Sequence, residues 1–101
     1  MLFIETPVFT DLVEKQLDLE AYRALLLRPE QHTVIPGSGG LRKIRWAAEG
    51  RGKRGGVRII YFWEKTKATC YMLFLYRKNQ QGDLTAAQVR TLARIVREEF
   101  Q

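Results

Sequence analysis

At 101 residues and 11.8 kDa, the chain has the size of one ordinary domain, spanning 1–101, with no room for a second core. Seventeen Lys plus Arg against eleven Asp plus Glu leave a formal charge of +6 beside 46% hydrophobic residues, which excludes a disordered basic tail and points to a globular protein that attracts polyanions. One cysteine and one histidine exclude an internal disulfide and an ordinary structural zinc site, and the longest apolar run, Cys70 to Tyr76, is far short of a membrane span; a cytoplasmic protein with no cofactor and no membrane contact is expected.

Met1 to Glu5 reads as a short apolar strand. Thr6 before Pro7 is an N-cap followed by proline at the first helical position, and Phe9, Leu12, Val13 and Leu17 recur with helical spacing. Asp18 caps a second helix whose stripe is Leu19, Tyr22, Leu25 and Leu26, ended by Pro29, so that the two form a hairpin. Gly37-Ser38-Gly39-Gly40 releases the chain into Leu41 to Ala47, where alternation puts Leu41, Lys43 and Arg45 on one face and Arg42, Ile44 and Trp46 on the other. Val57 to Trp63 and Thr69 to Tyr76, rich in β-branched and aromatic residues and joined by a five-residue polar loop, are expected as the central strands. Thr85-Ala86-Ala87-Gln88 is a capping box opening a last helix, with Val89, Leu92, Ala93, Val96 and Phe100 inside and Arg90, Arg94 and Arg97 outside. The expected fold is α+β: a small antiparallel sheet of about four strands packed against an N-terminal helical hairpin and a C-terminal helix.

The charge is uneven. Arg42, Lys43, Arg45, Arg51, Lys53, Arg54 and Arg58 crowd into residues 42–58 against Glu49 alone. Glycine-spaced Arg51, Lys53 and Arg54 lack the spacing of a nucleotide-binding P-loop and lead into a strand instead of a helix, so a solvated loop competes with a phosphate-binding one. The charges continue into the strands, however. Arg58 interrupts an apolar strand, and a half-buried guanidinium is costly unless it meets an anion. Lys43, Arg45 and Arg58 on adjoining strands can share one face with a spacing suited to a phosphodiester. Such a cluster also suits RNA cleavage by the 2′-hydroxyl: cations stabilise charge on the phosphorus oxygens, and a lysine crowded by like charges can transfer protons.

The other chemistry-bearing residues read more plainly. His32 lies in a polar link away from the basic strands, Cys70 sits in an apolar run as a core residue, and Glu98-Glu99 belong to a helical turn instead of a glycosidase acid pair. Among aromatics, Tyr76, at the end of a strand and beside Arg77, Lys78 and Asn79, is the best candidate to meet a base.

The order strand, helical hairpin, three strands and helix, together with GLRKIRWA, GRGKRGGVRIIYFW and LFLYRKNQQGDLT, resembles the RelE/ParE superfamily of type II toxin-antitoxin toxins, most closely its HigB-like branch, over nearly the whole chain. The resemblance implies a ribosome-dependent mRNA interferase, an endoribonuclease that cuts mRNA in the ribosomal A site and arrests translation. Its implied partners are the ribosome and mRNA, a cognate helix-turn-helix antitoxin of HigA type, and operator DNA through the antitoxin complex only. By that resemblance Lys43 and Arg45 contact mRNA phosphate and assist proton transfer, Arg58 holds the scissile phosphate, and Lys78 is a further catalytic basic residue. Asn79 completes the KN signature, while Arg42, Arg51, Lys53, Arg54, Tyr76 and Arg77 are expected to grip RNA. Asp83, Leu84 and Thr85 stand where the best-studied type has a tyrosine, which leaves the general base unassigned. A module that binds RNA or ribosomes without cutting, and an inactive homologue kept as antitoxin partner and co-repressor, are the alternatives.

Overall fold

The computed structural model describes residues 1–13, 23, 25–46 and 56–100. Five strands form one mixed sheet in the order β1-β5-β4-β3-β2: β1 (Leu2–Glu5), β2 (Thr33–Val34), β3 (Arg42–Trp46), β4 (Val57–Glu64) and β5 (Thr69–Arg77). The α+β class is as expected, and two features of the sheet differ from expectation. β1 runs parallel to β5, with Leu2 opposite Thr69 and Glu5 opposite Met72, and α1 (Pro7–Val13) follows it in the chain, while β2 lies at the other edge of the sheet. The fifth strand, β2, is a two-residue edge paired antiparallel to β3, too short to leave an alternation in the sequence.

Local chemistry sets the helix starts. The Thr6 hydroxyl accepts the Phe9 N–H at 3.2 Å, so Pro7, which has no N–H to leave orphaned, opens α1 without cost. At the other end of the chain Thr85 and Gln88 cap α2 (Ala86–Ile95) reciprocally, and the helix widens into a π-type turn over Val96–Phe100. Of the expected hairpin, the second helix lies mainly outside the described residues; Arg23 and residues 25–27 are helical, and Leu25 is fully buried.

Both faces of the sheet are covered, which is why β4 and β5 read as continuous apolar runs instead of alternating ones. Phe9 and Leu25 pack with Ile44, Ile59, Tyr61, Met72 and Leu75 on the α1 face. Leu92 and Val96 pack with Leu41, Ile60, Phe62, Tyr71 and Leu73 on the α2 face, where the Phe100 ring stacks on Tyr71 at 4.1 Å. Each such buried side chain contributes about 1.5–3 kcal/mol. A bulge gives β5 its double duty: Ile60 opposes Phe74 and Tyr61 opposes Met72, leaving Leu73 unpaired between them. The Leu73 carbonyl, freed from the ladder, accepts the Thr6 hydroxyl at 3.1 Å and ties α1 to the sheet.

The glycine-rich turn before β3 fixes the phase of that strand. Buried Ser38 donates from its hydroxyl to the Ile35 carbonyl at 2.5 Å and accepts the Leu41 N–H at 3.0 Å. Gly40 has φ +108, and a Cβ there would stand 3.4 Å from the Phe62 ring, so only glycine passes the chain into β3 at this point. Leu41 enters the α2 core fully buried, which commits Lys43 and Arg45 to the same face.

Candidate functional site

β3, β4 and β5 bring three of the sequence-derived residues into one row. Arg45 stands directly opposite Arg58, and Arg58 directly opposite Tyr76; opposed residues project to the same side of a sheet, here the α2 face beyond the helix N-terminus. Lys43 follows on that face, two residues from Arg45. Two arginines thus face each other across a strand pair, an arrangement that repels unless an anion lies between.

Arg58 is the centre of the row. It is only 4% exposed, and its one hydrogen bond among the described residues runs from Nη1 to the Val57 carbonyl at 3.5 Å, the outer limit of such a contact. No carboxylate pairs with it among the described residues. A guanidinium held this way is costly to bury and is set to receive a bidentate anion such as a phosphodiester.

The acid of the site comes from the loop after β5. Asp83 Oδ1 lies 3.5 Å from Lys43 Nζ, accepts the Leu84 N–H at 2.8 Å, and accepts the Tyr76 hydroxyl at 3.4 Å. The Leu84 N–H, with help from Lys43, holds the Asp83 carboxyl below its ordinary value, so it is a carboxylate at neutral pH. Burial, reinforced by the Asp83 charge and hydrogen bond and opposed by Arg58, pushes Tyr76 up to about 12, which keeps it a neutral phenol and a proton donor. Sequence reasoning did not place Asp83 in the site. The signal was there: it is the only acid between Lys78 and Glu98, in a loop that must return to the basic strands to start α2.

The remaining candidates lie elsewhere or at the margin. Arg42 projects to the opposite face, where its Nη1 donates to the carbonyls of Glu30 at 2.9 Å and His32 at 2.8 Å; it ties the segment before β2 to β3. Tyr61 and Trp63 hold the same segment, through Pro29 O at 2.6 Å and Glu30 Oε1 at 3.2 Å. Tyr76 is 5% exposed, so it offers its hydroxyl to the site and no ring face for a base. Arg77, opposite Val57, is on the α1 side of β5. Lys78 and Asn79 are exposed in the turn after β5, whose Lys78 N–H donates to the Gly56 carbonyl at 3.2 Å. Arg51, Lys53 and Arg54 lie outside the described residues. Cys70 is buried in the α1 core, where burial pushes its thiol up to about 11. No protein-family model matches the chain.

Proposed function

We propose that this chain is an endoribonuclease of the RelE/HigB-like toxin type, which cuts mRNA in the ribosomal A site and is held inactive by a cognate antitoxin. The observation that carries the reading is the row Arg45, Arg58 and Tyr76 with Lys43 and Asp83 beside it: cations gathered around a nearly unpaired buried guanidinium, with one carboxylate within reach. A helix on each face of a five-stranded sheet is compatible with a RelE-like architecture.

In this reading Arg58 binds the scissile phosphate through two non-bridging oxygens, and Arg45 on the facing strand stabilises the charge that builds there in the transition state. The Asp83 carboxylate takes the proton of the 2′-hydroxyl as that oxygen attacks phosphorus. The bond to the 5′-oxygen breaks, and the Lys43 ammonium supplies the proton to the leaving group. The products are a 2′,3′-cyclic phosphate and a free 5′-hydroxyl. Protonated Asp83 and neutral Lys43 are then 3.5 Å apart, and transfer of the proton between them restores both. Tyr76 fixes the Asp83 carboxylate from beneath, and exposed Lys78, Asn79 and the basic loop of Arg51, Lys53 and Arg54 grip RNA of the ribosome in the cytoplasm. An operator contact is made through the antitoxin complex.

Primer extension on a defined mRNA, with and without translating ribosomes, tests the proposal. Cuts at A-site codons that require ribosomes and vanish in Arg58→Ala are expected. Translation arrested over intact message would replace the nuclease by a binding module, and neither arrest nor cutting would leave an inactive homologue.

A further inference from the structure

The loop that brings Asp83 beside Lys43 is itself held by a neighbouring side chain, Gln81. The backbone of Gln81 is anchored first: its N–H donates to the Arg77 carbonyl at 3.2 Å, and the Gln80 N–H donates to the same carbonyl at 3.0 Å, which fixes the residue on the end of β5. The side-chain amide then reaches forward. Nε2 donates to the Asp83 carbonyl at 2.9 Å and to Gln88 Oε1 at 2.9 Å, and that oxygen also accepts the Thr85 N–H at 2.9 Å. One amide group thus joins the end of β5, the backbone of Asp83 and the capping box of α2.

Donor and acceptor chemistry fixes the orientation of both amides. The Thr85 N–H requires an acceptor, which turns the Gln88 oxygen toward the loop. Facing that oxygen and a backbone carbonyl, Gln81 has to present its NH2 group, whose two protons match the two acceptors.

This tether controls the aim of Asp83. The Asp83 side chain is 71% exposed, and Gly82 before it has open space where a Cβ would stand, so packing does not hold the carboxylate. Its backbone is held by Gln81 on one side and on the other by Leu84, which packs against the α2 core. Lys43, the Leu84 N–H and the Tyr76 hydroxyl all meet Oδ1, and Oδ2 makes no hydrogen bond among the described residues. One oxygen is tethered and the other is open to a proton. The contacts to Tyr76 at 3.4 Å and Lys43 at 3.5 Å are long, so a displacement of the loop by about 1 Å parts both.

We infer that Gln81 is a positioning residue: its amide fixes the Asp83 backbone so that the carboxylate stays beside Lys43 and within reach of a bound 2′-hydroxyl. The consequence for cleavage rests on the nuclease reading; the placement of the carboxylate does not.

The test uses the full chain with Gln81→Met, which keeps the length of the side chain and removes both donors, with Asp83→Asn, and with the two combined. Single-turnover cleavage of mRNA in programmed ribosomes, at rising protein concentration, separates the maximal rate from the half-saturating concentration. Gln81→Met is expected to lower the maximal rate about 10-fold with half-saturation unchanged, and to add less than about 2-fold to the loss caused by Asp83→Asn. Independently of cleavage, the Asp83 carboxyl carbon followed by NMR through acid pH should titrate below the ordinary carboxyl range in the wild type and closer to it in Gln81→Met. An equal loss from Gln81→Met in the wild-type and Asp83→Asn backgrounds, or an Asp83 titration that Gln81→Met leaves in place, would overturn the inference. A wild-type chain that cuts nothing withdraws the nuclease reading alone, and the titration then decides the inference by itself.

Discussion

Replacing Arg58 with methionine separates what this residue does for the fold from what it does for the site. Methionine keeps the length of the side chain and removes the guanidinium from a position 4% exposed, where its one hydrogen bond among the described residues is 3.5 Å long and Arg45 stands directly opposite. Exchanging buried ionic groups for apolar ones of similar size has gained about 1–4 kcal/mol elsewhere, and losing so long a hydrogen bond costs less than about 1 kcal/mol. The expected net effect is a stabilisation of about 1–2 kcal/mol, or a rise in Tm of roughly 5–10 °C for a domain of this size. Cleavage, by contrast, should fall about 10²–10³-fold, the usual effect of removing one donor to transition-state charge. Urea titrations with unchanged m-values give the first quantity, and primer extension in a translating extract the second. A variant that is destabilised by more than about 1 kcal/mol yet cuts as well as the wild type would refute the argument, since the guanidinium would then be a structural group and not an anion receptor.

Asp83→Asn should lower cleavage about 100-fold while placing the midpoint of urea unfolding at neutral pH only slightly below that of the wild type, because the Asp83 side chain is 71% exposed and surface pairs contribute little. The same variant should be less acid-sensitive: a carboxyl held below its ordinary value when folded contributes stability above that value and loses it as pH falls through the folded one, so unfolding midpoints measured between about pH 3 and 6 should converge for wild type and variant at the acid end. Tyr76→Phe should remove a tyrosinate step near pH 12 from an absorbance titration at alkaline pH. In the wild type that tyrosine ionises more easily unfolded than folded, so stability is withdrawn as pH rises above 10 and through about 12. Gly40→Ala should cost about 1–3 kcal/mol by thermal melting, because φ +108 is strained for any side chain and the added carbon meets the Phe62 ring.

Periodicity was sufficient where one strand decides a question alone. Alternation from Leu41 to Trp46 put Lys43 and Arg45 on a common face, and the register of β3 and β4 adds Arg58 to it. Capping at Thr6 and Thr85 was equally legible because both caps are local bonds within four residues. What depends on distant segments was not. Nothing in the Met1–Glu5 pattern says which strand it joins or in which direction, and the two residues of β2 are paired by virtue of the turn around Ser38, not by their own propensity. Arg42 looks like one more cation of a basic run until the carbonyls of Glu30 and His32 are seen to occupy it. Asp83 escaped for the converse reason: its place in the site follows from how the loop after β5 returns across the sheet.

The parallel pairing of β1 has a consequence for how the chain matures during synthesis. Leu2 leaves the ribosome 67 residues before its Thr69 partner, the separation that also divides Thr6 from Leu73, and at translation rates of about 5–20 residues per second it waits roughly 3–13 s for the strand it pairs with. Until then the edge that β1 will occupy does not exist, and the hydroxyl that caps α1 lacks its bulge carbonyl. Vectorial emergence therefore delivers the β3–β4 pair first, then β5, and completes the row of charged side chains only when the loop carrying Asp83 follows. The nascent chain holds its first strand in reserve until β5 has emerged to pair with it.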